Sequence, residues 1–142
     1  MKKLIVCLAS LFASGLCAFA GEGDIFGRWV TIDDSTGKEK SVVEIFEREG
    51  KAYGKVVEIL TENKEAVAKI PGSPKVLGLE IIKDLVKKGD AWEGGTVLDP
   101  ESGKSYKAKL WVESGKLKMR GSFGPFFRTQ TWRKCDMKGE TK

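Results

Sequence analysis

The stretch Ser105-Tyr106-Lys107-Ala108-Lys109-Leu110-Trp111-Val112, followed by Glu113-Ser114-Gly115 and then Lys116-Leu117-Lys118-Met119-Arg120-Gly121, decides how this chain folds. Successive side chains of an extended strand point to opposite faces. Tyr106, Ala108, Leu110 and Val112 therefore share one face, and Lys107 and Lys109 take the other. Beyond the Glu-Ser-Gly turn, Leu117 and Met119 oppose Lys116, Lys118 and Arg120 in the same way. Period-2 alternation does not fit a helix. The two runs predict an antiparallel hairpin with one wet and one dry face.

The same pattern extends in both directions. Residues 91–98 and 79–86 form a pair around Lys87-Lys88-Gly89-Asp90, and residues 41–48 and 52–60 another around Glu49-Gly50-Lys51. Residues 26–32 and 127–133 complete eight short apolar runs at regular spacing. That spacing predicts an all-β, antiparallel barrel or sandwich rather than a βαβ fold. Two segments read less simply. Residues 79–86 fit either a strand or a short helix, and residues 61–75, with Pro71, Gly72 and Pro74, form the longest loop, with room for one helical turn across 62–69. Asp34-Ser35-Thr36-Gly37-Lys38 and Asp99-Pro100-Glu101-Ser102-Gly103-Lys104 both open with Asp and close with Gly-Lys. These are turns: Asp accepts backbone N–H bonds and Gly supplies a positive φ.

The first twenty residues have a different character. Lys2 and Lys3 precede an apolar stretch that ends in Ala18-Phe19-Ala20, a small-x-small ending of the kind signal peptidase accepts. A membrane-spanning helix needs roughly 20 continuous apolar residues, and Ser10, Ser14 and Gly15 interrupt this one. Acylation of Cys17 is disfavoured by the bulky Leu16 before it. Residues 1–20 are thus expected to be a cleaved signal peptide, leaving residues 21–142 as a single domain, periplasmic or secreted, with no stable membrane anchor. Cleavage removes two lysines and no acid, which lowers the formal charge from +5 to +3. With no basic block interleaved with aromatics, nucleic acid is an unexpected partner. Cys7 and Cys17 leave with the leader, so Cys135 is the sole remaining thiol and no intramolecular disulfide can form. It reads as a reduced thiol in a frayed tail.

The composition excludes much chemistry. The chain has no histidine, so Ser-His-Asp and Cys-His units, imidazole zinc sites and bis-His haem are all ruled out. One mature cysteine cannot hold an iron–sulfur cluster. Gly103-Lys104-Ser105 resembles the end of a phosphate-binding loop, but the required upstream glycine falls on Leu98. Asp33-Asp34 resembles half a calcium loop whose first ligand would fall on Ile32. Glu93 and Asp99, near Trp92, are the pair a carboxylate-based hydrolase would use; solvated strand-end charges account for them more simply. No metal and no cofactor are expected.

Apolar and aromatic residues carry the remaining signal. Alternation places Tyr106, Leu110 and Met119 on the dry face, where they would line a cavity if the barrel is hollow, joined by Phe46 and Phe127. Trp29, Trp92, Trp111 and Trp132 are candidates for core or cavity wall, and Phe123, Phe126 and Phe127 for its border.

Gly27-Arg28-Trp29 at the start of the first run, with Arg128 and Arg133 in the last, resembles the lipocalin and wider calycin pattern. The resemblance implies that Gly27 and Trp29 belong to a barrel cap in which the indole packs beneath eight strands and Arg133, or else Arg128, lies across it. A longer series of motifs occurs in order: Val42-Val43-Glu44-Ile45, Tyr53-Gly54-Lys55-Val56, Trp92-Glu93-Gly94-Gly95, Leu98-Asp99-Pro100 and Arg128-Thr129-Gln130-Thr131-Trp132-Arg133. This series is similar to a bacterial exported family known as domain of unknown function number 2147. The resemblance implies a lipocalin-like eight-stranded antiparallel barrel and no established activity. The expected protein is a non-enzymatic barrel that binds a small, largely apolar molecule in its mouth. Its rivals are an envelope interaction or stress-response protein with a solid barrel, and the carboxylate hydrolase.

Overall fold

The computed structural model describes residues 24–135. The expected leader, with its expected cleavage after Ala20, and the residues beyond Cys135 lie outside the described residues. Eight strands follow in chain order: β1 (Gly27–Ile32), β2 (Glu39–Arg48), β3 (Lys51–Ile59), β4 (Glu80–Lys88), β5 (Ala91–Asp99), β6 (Lys104–Glu113), β7 (Lys116–Phe123) and β8 (Phe126–Lys134). Each pairs antiparallel with the next, and β8 returns to β1 to close a barrel. Closure removes the sheet edges that would otherwise pair with other chains.

The hairpin read first in the sequence is β6–β7, with Leu110 opposite Met119 and Val112 opposite Leu117. Residues 79–86 resolve as strand: Ile81 and Ile82 are buried within β4, where β-branched side chains fit a pleated surface. Residues 62–69 contain no helical turn. The β3–β4 connection instead folds on itself, with Val67 bridging Lys75 and the Ala68 N–H donating to Pro74 O at 2.8 Å. It is pinned to the β5–β6 turn, where the Lys69 N–H donates to Pro100 O at 2.9 Å. Pro71 and Pro74 have no N–H for helical bonds, so backbone satisfaction comes from this mini-hairpin.

Bulges curve the sheet enough to close it. One lies between Glu93 and Gly95 on β5. Gly94 there has φ 94°, and a Cβ on Gly95 would sit 1.9 Å from the Lys83 carbonyl oxygen of β4. The Gly94-Gly95 pair is thus required twice, once for a left-handed backbone and once for a close approach between strands.

The two ends of the barrel differ. One carries the short turns at residues 49–50, 89–90 and 114–115 together with the incoming segment 24–26. Here Ile25, Trp29, Ile45, Leu85, Leu110 and Leu117 pack into a continuous buried cluster. Trp29 Nε1 donates to Ile25 O at 2.8 Å, and Phe26 meets Trp92 edge-on with ring centroids 5.4 Å apart. The other end carries the connections at 33–38, 60–79, 100–103 and 124–125. A second, smaller cluster lies outside the barrel wall, where Val30, Val42 and Cys135 pack together. Cys135 is therefore buried rather than part of a frayed tail: its N–H donates to Arg28 O at 2.9 Å and extends the β1–β8 seam.

Candidate functional site

The long connections frame the mouth of a cavity of about 540 Å³. It exists because the inward side chains fill only the lower barrel. Val56 and Ile59 of β3, Val97 of β5, Met119 of β7 and Trp132 of β8 form its lower walls. Gly121 faces the same space, and a Cβ there would approach no atom nearer than Tyr106 Cβ at 3.4 Å. Val76 and Ala66 of the folded-back β3–β4 connection contribute a wall from above.

Most of the polar groups that border this space are matched to one another, while the Tyr106 and Thr61 side chains also line it. The hydroxyls of Thr31 and Ser41 lie 2.8 Å apart. Trp132 Nε1 donates to Gln130 Oε1 at 3.0 Å, Gln130 Nε2 donates to Asp34 Oδ2 at 3.3 Å, and Asp34 pairs with Arg128 at 3.2 Å. Lys40 pairs with Glu101 at 3.1 Å on the opposite rim. Asp99 accepts from the Glu101 N–H and from the Ser102 hydroxyl, both at 3.0 Å. Among the described residues no buried side-chain nitrogen or oxygen lacks a hydrogen-bond partner. The rim charges are thus spent on one another, and the interior is apolar with a neutral polar stripe.

The β1–β2 loop is held by Asp33, whose Oδ1 accepts from the Ser35 hydroxyl at 2.7 Å and from the Ser35 and Thr36 N–H groups at 2.8 and 3.1 Å. These bonds, the Ser35 hydroxyl first, hold the Asp33 carboxyl below its ordinary value. The loop is a preformed turn that places Asp34 over β8.

Of the five residues expected on a cavity wall, Tyr106 and Met119 are there, and Phe127, exposed on the outer-face parity of β8, borders the mouth. Leu110 is not. It faces inward but is completely buried among the packed side chains of the lower barrel, although its cross-strand partner Met119 is on the wall. Phe46 is not on the wall either. Val43 and Ile45 take the inner face of β2, so Phe46 points outward and stacks on Tyr53 with centroids 6.0 Å apart, beside Arg48 and Lys55. Of the four tryptophans, Trp132 lines the cavity, Trp29 and Trp92 belong to the packed end, and Trp111 lies on the outer wall against Lys109 and Arg120.

The expected cap also needs correction. The cation over Trp29 is Lys134, with Nζ 4.6 Å from the ring centroid and 3.5 Å from Phe26 O. Arg133 points outward, and its Nε donates to Glu39 Oε2 at 3.1 Å. Arg128 stands at the mouth with Asp34. Strand parity explains all three placements. Arg128, Gln130, Trp132 and Lys134 share the inner face of β8, but Arg128 lies six residues from Lys134, roughly 20 Å along the strand. Gly27, at φ 115°, fits this arrangement, since a Cβ there would lie 2.8 Å from Lys134 Nζ. The sequence signal for Lys134 and Gln130 was their even spacing from Trp132.

Glu93 and Asp99 are not brought together. They lie six residues apart on one strand, roughly 20 Å, and Asp99 is committed to its turn. Carboxylate pairs that cleave glycosides stand about 5–9.5 Å apart.

Comparison with known proteins agrees with this geometry. Residues 27–134 match the model of a family described as "Uncharacterized protein conserved in bacteria (DUF2147)". Among solved structures the chain is similar to protein HP1028 from Helicobacter pylori, which is described as belonging to the lipocalin family. The two superpose with a TM-score of 0.69 over 83% of this chain and 87% of that one, at 23% identity. At that identity the likeness concerns the fold, a lipocalin-like eight-stranded barrel. No curated protein matches the chain.

Proposed function

We propose that this chain, which belongs to the DUF2147 family of uncharacterized bacterial proteins, is an exported, non-catalytic carrier of a small, largely apolar molecule. The observation that carries this reading is the cavity. Its volume of about 540 Å³ falls within the roughly 300–1,000 Å³ of small-molecule pockets, which are mainly apolar with a few placed polar groups. Val56, Val97, Met119 and Trp132 would hold the apolar body, and the Thr31–Ser41 and Gln130 groups would meet a neutral polar end. A barrel serving only to display loops has no use for a hollow interior, so the cavity favours carriage over the solid-barrel reading. Export rests on residues 1–20. The intact mass of the exported protein should match a chain beginning at Gly21, and retention of the leader would sink that part.

Delipidated protein titrated with the neutral probe N-phenyl-1-naphthylamine should saturate at about one per chain, with energy transfer from Trp132. Trp132→Phe should remove most of that transfer and leave the stoichiometry unchanged. Absence of saturable binding would overturn the carrier reading.

A further inference from the structure

The β7–β8 hairpin ends differently from every other turn among the described residues. Its tip reads Phe123-Gly124-Pro125-Phe126-Phe127, with no polar side chain, while the other hairpin turns carry Asp, Glu, Ser or Lys. The three phenylalanines are 70%, 74% and 64% exposed. Exposed rings of this size at one point of a soluble fold mark an interaction site.

What lies behind the tip points to the partner. Lys107, Ser122 and Phe127 form one row across β6, β7 and β8, and Lys109, Arg120 and Thr129 form the next. Trp111, Lys118 and Thr131 follow. Neutral groups hold these cations in place. Arg120 Nε donates to Thr129 Oγ1 at 3.1 Å while its guanidinium lies over Phe127 and Trp111, at 4.6 and 5.3 Å from the ring centroids. Lys118 Nζ donates to Thr131 Oγ1 at 2.8 Å. Lys109 lies 5.6 Å from the Trp111 ring. Two acids share this outer face, Glu93 beside Lys109 and Glu113 at the far end of β6. Neither forms an ion pair with the four cations. The surface is an apolar apex followed by a cationic collar.

We propose that this hairpin docks on an anionic phospholipid bilayer, with Phe123, Phe126 and Phe127 in the headgroup–acyl boundary and Lys107, Lys109 and Arg120 at the phosphates. The dimensions fit. Two residues of strand separate the Ser122 and Arg120 rows, roughly 7 Å, and interfacial apolar groups sit about 5–10 Å below the headgroups. Because Phe123, Phe126 and Phe127 also border the cavity, docking turns the mouth toward the membrane. The proposal stands on the hairpin surface and holds whether or not the cavity carries a ligand.

The test is flotation of the full exported chain with vesicles of phosphatidylcholine alone or mixed with phosphatidylglycerol. The protein should float with the anionic vesicles, less so at high salt. The double variant Phe123→Ser/Phe126→Ser should lose roughly tenfold in partition per ring, and Lys107→Gln and Arg120→Gln about fivefold each. Phe123, Phe126 and Lys107 are exposed, so their substitutions should leave the melting temperature unchanged, which separates lost docking from lost folding. As a second readout, the Phe126→Trp variant should gain blue-shifted emission on anionic vesicles and be quenched by brominated acyl chains. Failure of the wild-type chain to float with anionic vesicles overturns the proposal, as does undiminished flotation of the double-serine variant. So does a tip that instead pairs two copies of the chain, seen as a dimer that the same substitutions dissociate without any vesicle binding.

Discussion

The closed and open halves of this barrel are built from the same alternating strands, yet one is solid and the other hollow. Gly54 and Gly121 make the difference concrete, because both lie on inward positions. A Cβ on Gly54 would meet Ile45 Cδ1 at 2.9 Å and Ile82 at 3.1 Å, whereas a Cβ on Gly121 meets nothing closer than 3.4 Å and looks into the cavity. Leu110 and Met119 repeat the contrast as cross-strand neighbours: Leu110 is wholly enclosed, and Met119 has the cavity beyond it. Inward orientation alone therefore does not make a residue part of a site. What decides is whether large side chains from facing strands converge on it. At the closed end Ile25, Trp29 and Leu117 do so; at the mouth the facing positions hold Gly121, Ser41 and Thr31.

The largest effect expected to separate the halves is on stability. Trp29→Ala removes the central indole of the packed end and should cost about 3–5 kcal/mol, measured by urea unfolding. If the protein still folds, one probe molecule per chain should still bind, since the cavity is at the other end. A loss below about 1 kcal/mol would mean that the closed end is not the stabilising half.

Next comes a paired substitution at the boundary. Leu110→Trp overpacks a filled space and should cost about 1–3 kcal/mol. Met119→Trp can extend into the cavity, so it should abolish probe binding with little change in stability. Equal destabilisation by both would dissolve the distinction between floor and wall.

The cap correction provides a smaller test. Lys134→Met should cost about 0.5–1 kcal/mol, the range for an exposed cation–π contact. Arg133→Met should leave the Trp29 environment in near-UV circular dichroism unchanged. Additivity of Lys134→Met with Trp29→Leu in a double-mutant cycle would show that the ammonium gains nothing from the ring.

The smallest effect belongs to the outer wall. Arg48 forms a bidentate pair with Glu80, at 3.0 and 3.2 Å, while stacking on Tyr53. That hydrogen bond holds the Glu80 carboxyl below its ordinary value of 4.5. A lowered native value means the folded state binds fewer protons than the unfolded state in that range. The contribution is therefore present above the ordinary value and lost as pH falls through the lowered one. Glu80→Gln should flatten this acid limb of the stability profile by a small amount, because exposed ion pairs contribute little. Probe binding at neutral pH should not change.

Several features of this protein were legible in the chain alone. Alternation at Tyr106–Val112 and Leu117–Met119 determined strand type and face, because a residue's side of a strand depends only on its parity. The Asp-to-Gly turns determined where strands end, through local hydrogen bonds and positive φ. The absent histidine removed whole classes of chemistry without reference to any fold. The tertiary structure alone decided the rest. Parity could not distinguish Leu110 from Met119, since the filling of a barrel depends on side chains converging from strands distant in sequence. It could not place Phe46 while both faces of β2 carried apolar residues, nor choose between Arg128 and Lys134, both on the inner face of β8, over Trp29 before the β1–β8 register was known. That register pairs Trp29 with Lys134, and it is set by closure of the whole barrel, a long-range condition that no local stretch of sequence contains.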